Sequence, residues 1–159
     1  MLGIVTSMAI STLVEYQKFV TANYTYTTNT TLTDGQWTYD TSLRAFHAKS
    51  NTTTGAKINA LFSDMGVSTL HVGDIVEASC QCKNISGTFK IGIDIDHTNE
   101  EMYASTNSNE WETMSVKHII RHEPAGTDGT QIAFGIWYGL AGEFYVRDIV
   151  IKVISKANS

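Results

Sequence analysis

Basic residues are scarce in this sequence. Eleven Lys and Arg stand against sixteen Asp and Glu, a formal net charge of −5, and the cations form no stripe or cluster along the chain. Nucleic-acid binding draws most of its affinity from Lys and Arg on phosphates, so that class of partner is excluded. Charge of either sign is thin: 17% of residues carry one, where soluble domains average about 25%. Thr, Ser and Asn take up the difference. A surface of hydroxyls and amides suits neutral, hydroxyl-rich partners better than polyanions.

Long apolar runs are missing as well. Residues 1–10 are mildly apolar, but no basic segment precedes them and Thr6 and Ser7 interrupt them. They do not read as a signal peptide, and no other stretch is long enough to span a membrane. There are two cysteines, Cys80 and Cys82. On one strand they share a face with Cα atoms about 6.5–7 Å apart, the outer limit of disulfide geometry, so two buried free thiols are expected. No further Cys or nearby His completes a zinc spacing. The only proline, Pro124, lies in the turn-like run from Glu123 to Gly129. Four N-x-S/T triplets begin at Asn23, Asn29, Asn51 and Asn84; in a chain this rich in Asn and Thr they read as chance, not as glycosylation sites.

What is present is alternation. At 159 residues the chain fits one domain, and a domain of this size buries about 70% of the surface its unfolded form exposes, enough for a core without staples. Ala56 to Phe62 alternates weakly. From Ile75 to Cys82, the residues Val76, Ala78, Cys80 and Cys82 share one face and Glu77, Ser79 and Gln81 the other. Between Thr88 and Asp96, Phe89, Ile91, Ile93 and Ile95 oppose Lys90, Gly92, Asp94 and Asp96. This is the cleanest period-2 pattern in the chain. Trp111 to Arg121 places Met114, Val116 and Ile120 together, and Gln131 to Tyr138 sets Ile132, Phe134, Ile136 and Tyr138 against Gln131, Ala133, Gly135 and Trp137. In the final segment, Glu143 to Ile154, the apolar parity slips by one between Val146 and Ile149, which predicts a β-bulge at Arg147–Asp148. His97 to Asn109 has no period and reads as a surface loop.

The pattern predicts an all-β fold, a two-sheet antiparallel sandwich, over residues 23–159. Residues 1–22 read as a separate N-terminal helix or arm. Val5 to Val20 suits either a helix, whose apolar stripe would pack on copies of itself as a stalk, or a strand. Thr21 to Thr33 reads as an extended arm or edge strand.

The stretches "GDIVEASCQCKNISGTFKIGIDI", "NEWETMSVKHII" and "IAFGIWYGLAGEFYVRDIVIKV" resemble the jelly-roll carbohydrate-binding modules, and "LTDGQWTYDTS" is similar to the first tryptophan region of that family. The Asn/Thr/Gly-rich surface and stalk-like start further resemble such modules at the tips of bacteriophage tail fibres and tail spikes. The resemblance implies a non-catalytic domain of a virion tail or an extracellular protein, binding host polysaccharide as a homotrimer. It also implies a structural calcium, with Asp148 in the position of the family's acidic ligand on the last strand.

The residues themselves suggest a site. If the segments around Ser79, Lys90 and Gln131 lie in one sheet, their outward faces gather Glu77, Ser79, Gln81, Lys90, Asp94, Asp96, Gln131 and Trp137. Trp111 leads a neighbouring strand. An indole stacks on the C–H face of a pyranose while amides and carboxylates take its hydroxyls. Gly92 and Gly135 would leave room above the sheet for the sugar. Trp37, Tyr39 and Tyr103 sit near predicted loops, tryptophan in a sandwich being more often a core plug. Arg44 and His47 read as a solvated strand face. Asp94 and Asp96 share a face at glycosidase-like spacing, but neither is marked as a raised-pKa acid. No nucleophile elbow, phosphate loop or Ser/His/Asp order is visible.

Overall fold

The computed structural model describes residues 10–16, 36–50, 55–63, 67, 69–106, 108–125, 129–137 and 139–156. These form ten strands: β1 (Ile10–Tyr16), β2 (Gln36–Asp40), β3 (Ala45–Ser50), β4 (Ala56–Leu61), β5 (Ile75–Ser86), β6 (Lys90–Ile95), β7 (Thr98–Ala104), β8 (Trp111–Ile119), β9 (Gln131–Ile136) and β10 (Gly142–Lys156). A six-stranded sheet runs β2-β3-β10-β5-β8, with β1 alongside the C-terminal half of β10; a four-stranded sheet runs β4-β9-β6-β7. Every pairing is antiparallel. The chain is an antiparallel β-sandwich, and among the described residues there is no α-helix.

Alternation builds the interior. Val76, Ala78, Cys80 and Cys82 of β5 meet Ile91, Ile93 and Ile95 of β6 and Ile132, Phe134 and Ile136 of β9 in one buried cluster. Each fully buried Ile or Phe contributes about 1.5–3 kcal/mol over leaving it in water. Phe144 of β10 is fully enclosed and takes the edges of two rings, Trp37 at 5.7 Å and Phe89 at 4.8 Å. Trp37 is therefore a core plug, and Tyr39 packs edge-on against Phe46 beside it. Both cysteines are free and buried.

The bulge lies where the parity slip predicts it. Arg147 pairs with Gln81 and Val150 with Ser79, so β10 advances three residues while β5 advances two. Asp148 takes the left-handed backbone at φ 52°, and the extra residue returns Ile149, Ile151 and Val153 to the interior.

Of the two alternatives for the N-terminal segment the described residues take the strand, and one expectation is corrected. Residues 10–16 are a strand paired with β10 and so belong to the sandwich, neither helix nor stalk. The β-branched Ile10, Thr12 and Val14 suit a pleat, and β10 supplies the backbone hydrogen-bond partner. The segment after His97, expected to be a loop, contains β7, which pairs with β6. β7 is an edge strand with neither face fully buried, so nothing imposes an apolar period on it. The expected arm at 21–33 lies outside the described residues, as do Asn23, Asn29 and Asn51. Asn84 is buried and its amide donates to the Gly87 carbonyl at 2.8 Å, which removes it as a glycosylation acceptor.

Candidate functional site

The expected surface depended on β5, β6 and β9 sharing one sheet, and they do not: β5 lies in the six-stranded sheet, β6 and β9 in the other. Alternation tells which side chains share a face of one strand, not which strands are neighbours. The expected residues therefore fall into two groups on opposite outer faces. Lys90, Asp94, Gln131 and Trp137 come together on the four-stranded sheet, while Glu77, Ser79, Gln81 and Trp111 come together on the six-stranded one.

On the four-stranded sheet the register lays the outward positions out as a grid. Lys57, Gly135 and Lys90 form one cross-strand row, Asn59, Ala133, Gly92 and Met102 the next, and Leu61, Gln131, Asp94 and Asn99 the third. The middle of the grid is small. Trp137, just beyond β9, folds back so that the benzo edge of its indole lies on Gly92, where a Cβ would stand only 2.8 Å from Cη2. The space expected to be left for a ligand by Gly92 is thus occupied by the tryptophan. Gly135 is glycine for a backbone reason, with φ 149° and a direction in which a Cβ would run into the Ala56 carbonyl. The Lys57 ammonium stands 5.2 Å from the centroid of Trp137.

The polar groups beside this ring are recessed. Asp94 and Gln131 are 7% and 6% exposed, and Gln131 hydrogen-bonds the Asp94 carboxylate. Burial pushes the Asp94 carboxyl above its usual range, although Lys57 and Gln131 pull the other way. Burial likewise holds the Lys57 ammonium below the usual lysine range against the pull of Asp94. Among the described residues Oδ1 of Asp94 has no hydrogen-bond donor. A buried carboxylate oxygen without a donor is costly, and a ligand hydroxyl supplies one. Lys57 and Asn59 were missed in the sequence reading; the signal was the weak alternation of β4, where both oppose the buried Ile58.

The six-stranded face is knitted together by its own side chains. Arg147 donates to Gln81 Oε1 at 2.9 Å and to the Leu43 carbonyl at 3.0 Å, and its guanidinium lies 4.1 Å from the centroid of Trp111. Trp111 therefore already has a partner on its ring. His47 stacks on Tyr145 at 4.3 Å and bonds Glu143 at 2.9 Å. Glu77 pairs with Lys117 at 2.9 Å. A cleft of about 240 Å³ opens between β5, β8 and β10 over Ser79 and Ser115, but no aromatic ring lines it.

The acidic candidates separate too. Asp94 is buried in the outer face of β6, whereas Asp96 lies in the following turn at φ 49° and accepts from the Ala125 backbone at 2.6 Å and from Thr130 at 3.3 Å. The Asp96 carboxylate is thus engaged by the turn that follows β6. Asp148 is exposed at the bulge with the Arg147 guanidinium 3.8 Å away. Among the described residues no three His, Cys, Asp or Glu side chains gather to hold a metal.

No family model matches the chain, and no curated protein matches it by sequence. Comparison of folds does find relatives. The xylan-binding CBM22-1 domain of Paenibacillus barcinonensis Xyn10C is 11% identical over 78% of this chain and 83% of that one, with a TM-score of 0.50. BiXyn10A CBM1 in its apo form gives 8%, 89%, 96% and 0.53, and a CBM4 module 15%, 75%, 77% and 0.50. At such identities the likeness is one of fold: the chain is a sandwich of the jelly-roll kind found in carbohydrate-binding modules.

Proposed function

We propose that this domain binds carbohydrate without catalysis, through the outer face of the four-stranded sheet. One observation carries the reading: the Trp137 indole lies on the Gly92 shelf of the same face as a buried Asp94 carboxylate whose Oδ1 has no donor among the described residues. A pyranose stacked on the ring offers its hydroxyls to Asp94 and Gln131. The jelly-roll fold shared with carbohydrate-binding modules supports the same reading.

The finer reading is host-polysaccharide recognition at the tip of a bacteriophage tail fibre or spike, by a homotrimer whose weak single sites act together. It rests on the sequence resemblance, and molar mass in solution tests the trimer. The binding site is tested by titrating a polysaccharide panel into the protein and into Trp137→Ala. Loss of the indole is expected to weaken binding by about tenfold or more, ~1.4 kcal/mol. Unchanged affinity in a folded variant would overturn the site, and a panel without a binder would favour a purely structural domain of a virion.

A further inference from the structure

We infer that this face takes an acidic sugar: the carboxylate of a uronic-acid residue seats between Lys57 and Lys90, across Gly135, beside the Trp137 ring. The inference rests on the carbohydrate reading above and names the class of glycan.

The chain as a whole is acidic, at −5, yet this face concentrates cations. Lys57 and Lys90 both pair with Gly135, one from each side, so they occupy the same row of the sheet. Two interstrand spacings separate them, about 9.5 Å. Gly135 carries no side chain, and Gly is required there because a Cβ at its φ of 149° would run into the Ala56 backbone. The ion pairs among the described residues involve Lys49, Lys117, Arg121, Arg147 and histidines, and neither Lys57 nor Lys90 takes part in one.

Lys57 is also partly desolvated beside Trp137, which lowers its affinity for a proton. An anion in the Gly135 gap restores the charged form, and a carboxylate there makes charge-assisted hydrogen bonds that a neutral hydroxymethyl group cannot. The carboxylate in the grid, Asp94, lies four residues along β6 from Lys90, about 13 Å away at the rise of a strand. That is longer than one pyranose. A ligand that reaches from Lys90 to Asp94, whose charge also acts on Lys57, is therefore at least a disaccharide, acidic at the Lys90 end and offering hydroxyl donors at the Asp94–Gln131 end. A second uronate beside Asp94 would meet a like charge, so the arrangement favours alternating acidic and neutral residues.

The test uses the folded protein and two matched probes: hyaluronan oligosaccharides, which alternate uronate and neutral amino sugar, and the same oligosaccharides with their carboxyl groups reduced to alcohols. At low salt the acidic form is expected to bind about tenfold tighter, and raising the salt to about 0.5 M should erase most of that advantage. Combined Lys57→Gln and Lys90→Gln should remove the advantage, so that the acidic and reduced forms bind alike. Equal binding of the two probes overturns the inference, as does an advantage that survives the double substitution. Binding only to neutral polysaccharides through Trp137 also overturns it while leaving the carbohydrate reading in place. Absence of any Trp137-dependent glycan binding removes both.

Discussion

The indole of Trp137 and the bare Cα of Gly92 share one space on the outer face of the four-stranded sheet: a methyl group on Gly92 would stand 2.8 Å from Cη2 and closer still to Cζ2. The ring's position is thus set by a missing side chain on the neighbouring strand.

Gly92→Ala should therefore move the ring without unfolding the domain. Gly92 is not among the residues with positive φ, and the obstruction is the far end of a side chain, so the cost is expected at about 1 kcal/mol. Glycan affinity should fall with the displaced ring, by about tenfold. Gly135→Ala makes the contrast. There a Cβ meets the Ala56 carbonyl and comes within 2.9 Å of Lys57 Cα, at φ 149°. Backbone cannot step aside as a ring can, and a loss of about 3 kcal/mol or more is expected. Thermal melts of the two variants, with titration of the first, check both statements; equal melting shifts would count against this account of the face.

Buried carboxylate chemistry between β7 and β8 should make the fold sensitive to acid. The Glu100 side chain is 4% exposed and bonds His118 at 2.5 Å and His122 at 2.5 Å. Burial raises its pKa, but the His118 hydrogen bond, the Arg121 backbone amide and the charges of both histidines outweigh burial and leave it below 4.5. A carboxyl whose folded value lies below its unfolded one contributes stability that is present above the unfolded value and lost as pH falls through the folded one. Wild type should thus lose melting temperature more steeply than Glu100→Gln between pH 5 and about pH 3. The substitution should also cost about 1–3 kcal/mol at neutral pH. Parallel melting slopes below pH 5 would remove Glu100 from the acid response.

How much of this was legible in the sequence follows from what alternation records. Ile91, Ile93 and Ile95 against Lys90, Gly92 and Asp94 announces a strand with one buried face, and the slip between Val146 and Ile149 announces the bulge at Asp148. Both signals are local, written by one strand meeting one interior. The sheet to which a strand belongs is not local. β5 and β6 are joined by a short turn yet lie in different sheets, so Gln81 and Asp94 face opposite sides of the molecule although both read as outward. β7 escaped notice because an edge strand with Thr98 and Asn99 exposed buries no complete face. The Trp137–Gly92 contact joins residues 45 positions apart and leaves no mark in either segment.

The thiols offer a probe of the interior. Cys80 and Cys82 are buried on the inner face of β5, and burial pushes both thiols well above their usual range, with Glu112 adding to the effect. Thiolate is the reactive form, so neither should react with a disulfide reagent at neutral pH while the sandwich is closed. Two equivalents should react at once in denaturant. Rapid labelling of the native protein would mean that β5 does not bury this face.

The last prediction separates the two outer faces. Arg147 holds Gln81, the Leu43 carbonyl and the Trp111 ring together, and these three contacts tie β5, the turn before β3 and β8 to the bulged strand β10. Removing the guanidinium in Arg147→Ala breaks two charge-assisted hydrogen bonds and one cation–π contact, all partly solvated, for an expected loss of about 1–3 kcal/mol. It also uncovers the indole of Trp111. If sugar binding belongs to the four-stranded sheet, affinity should not change, because the sandwich interior lies between Arg147 and Trp137. If binding instead uses the six-stranded sheet, the newly exposed Trp111 ring and the freed Gln81 amide should alter it in either direction. Comparing glycan titrations of Arg147→Ala and Trp137→Ala thus assigns the site to one face, and a change confined to the arginine variant would move it to the other.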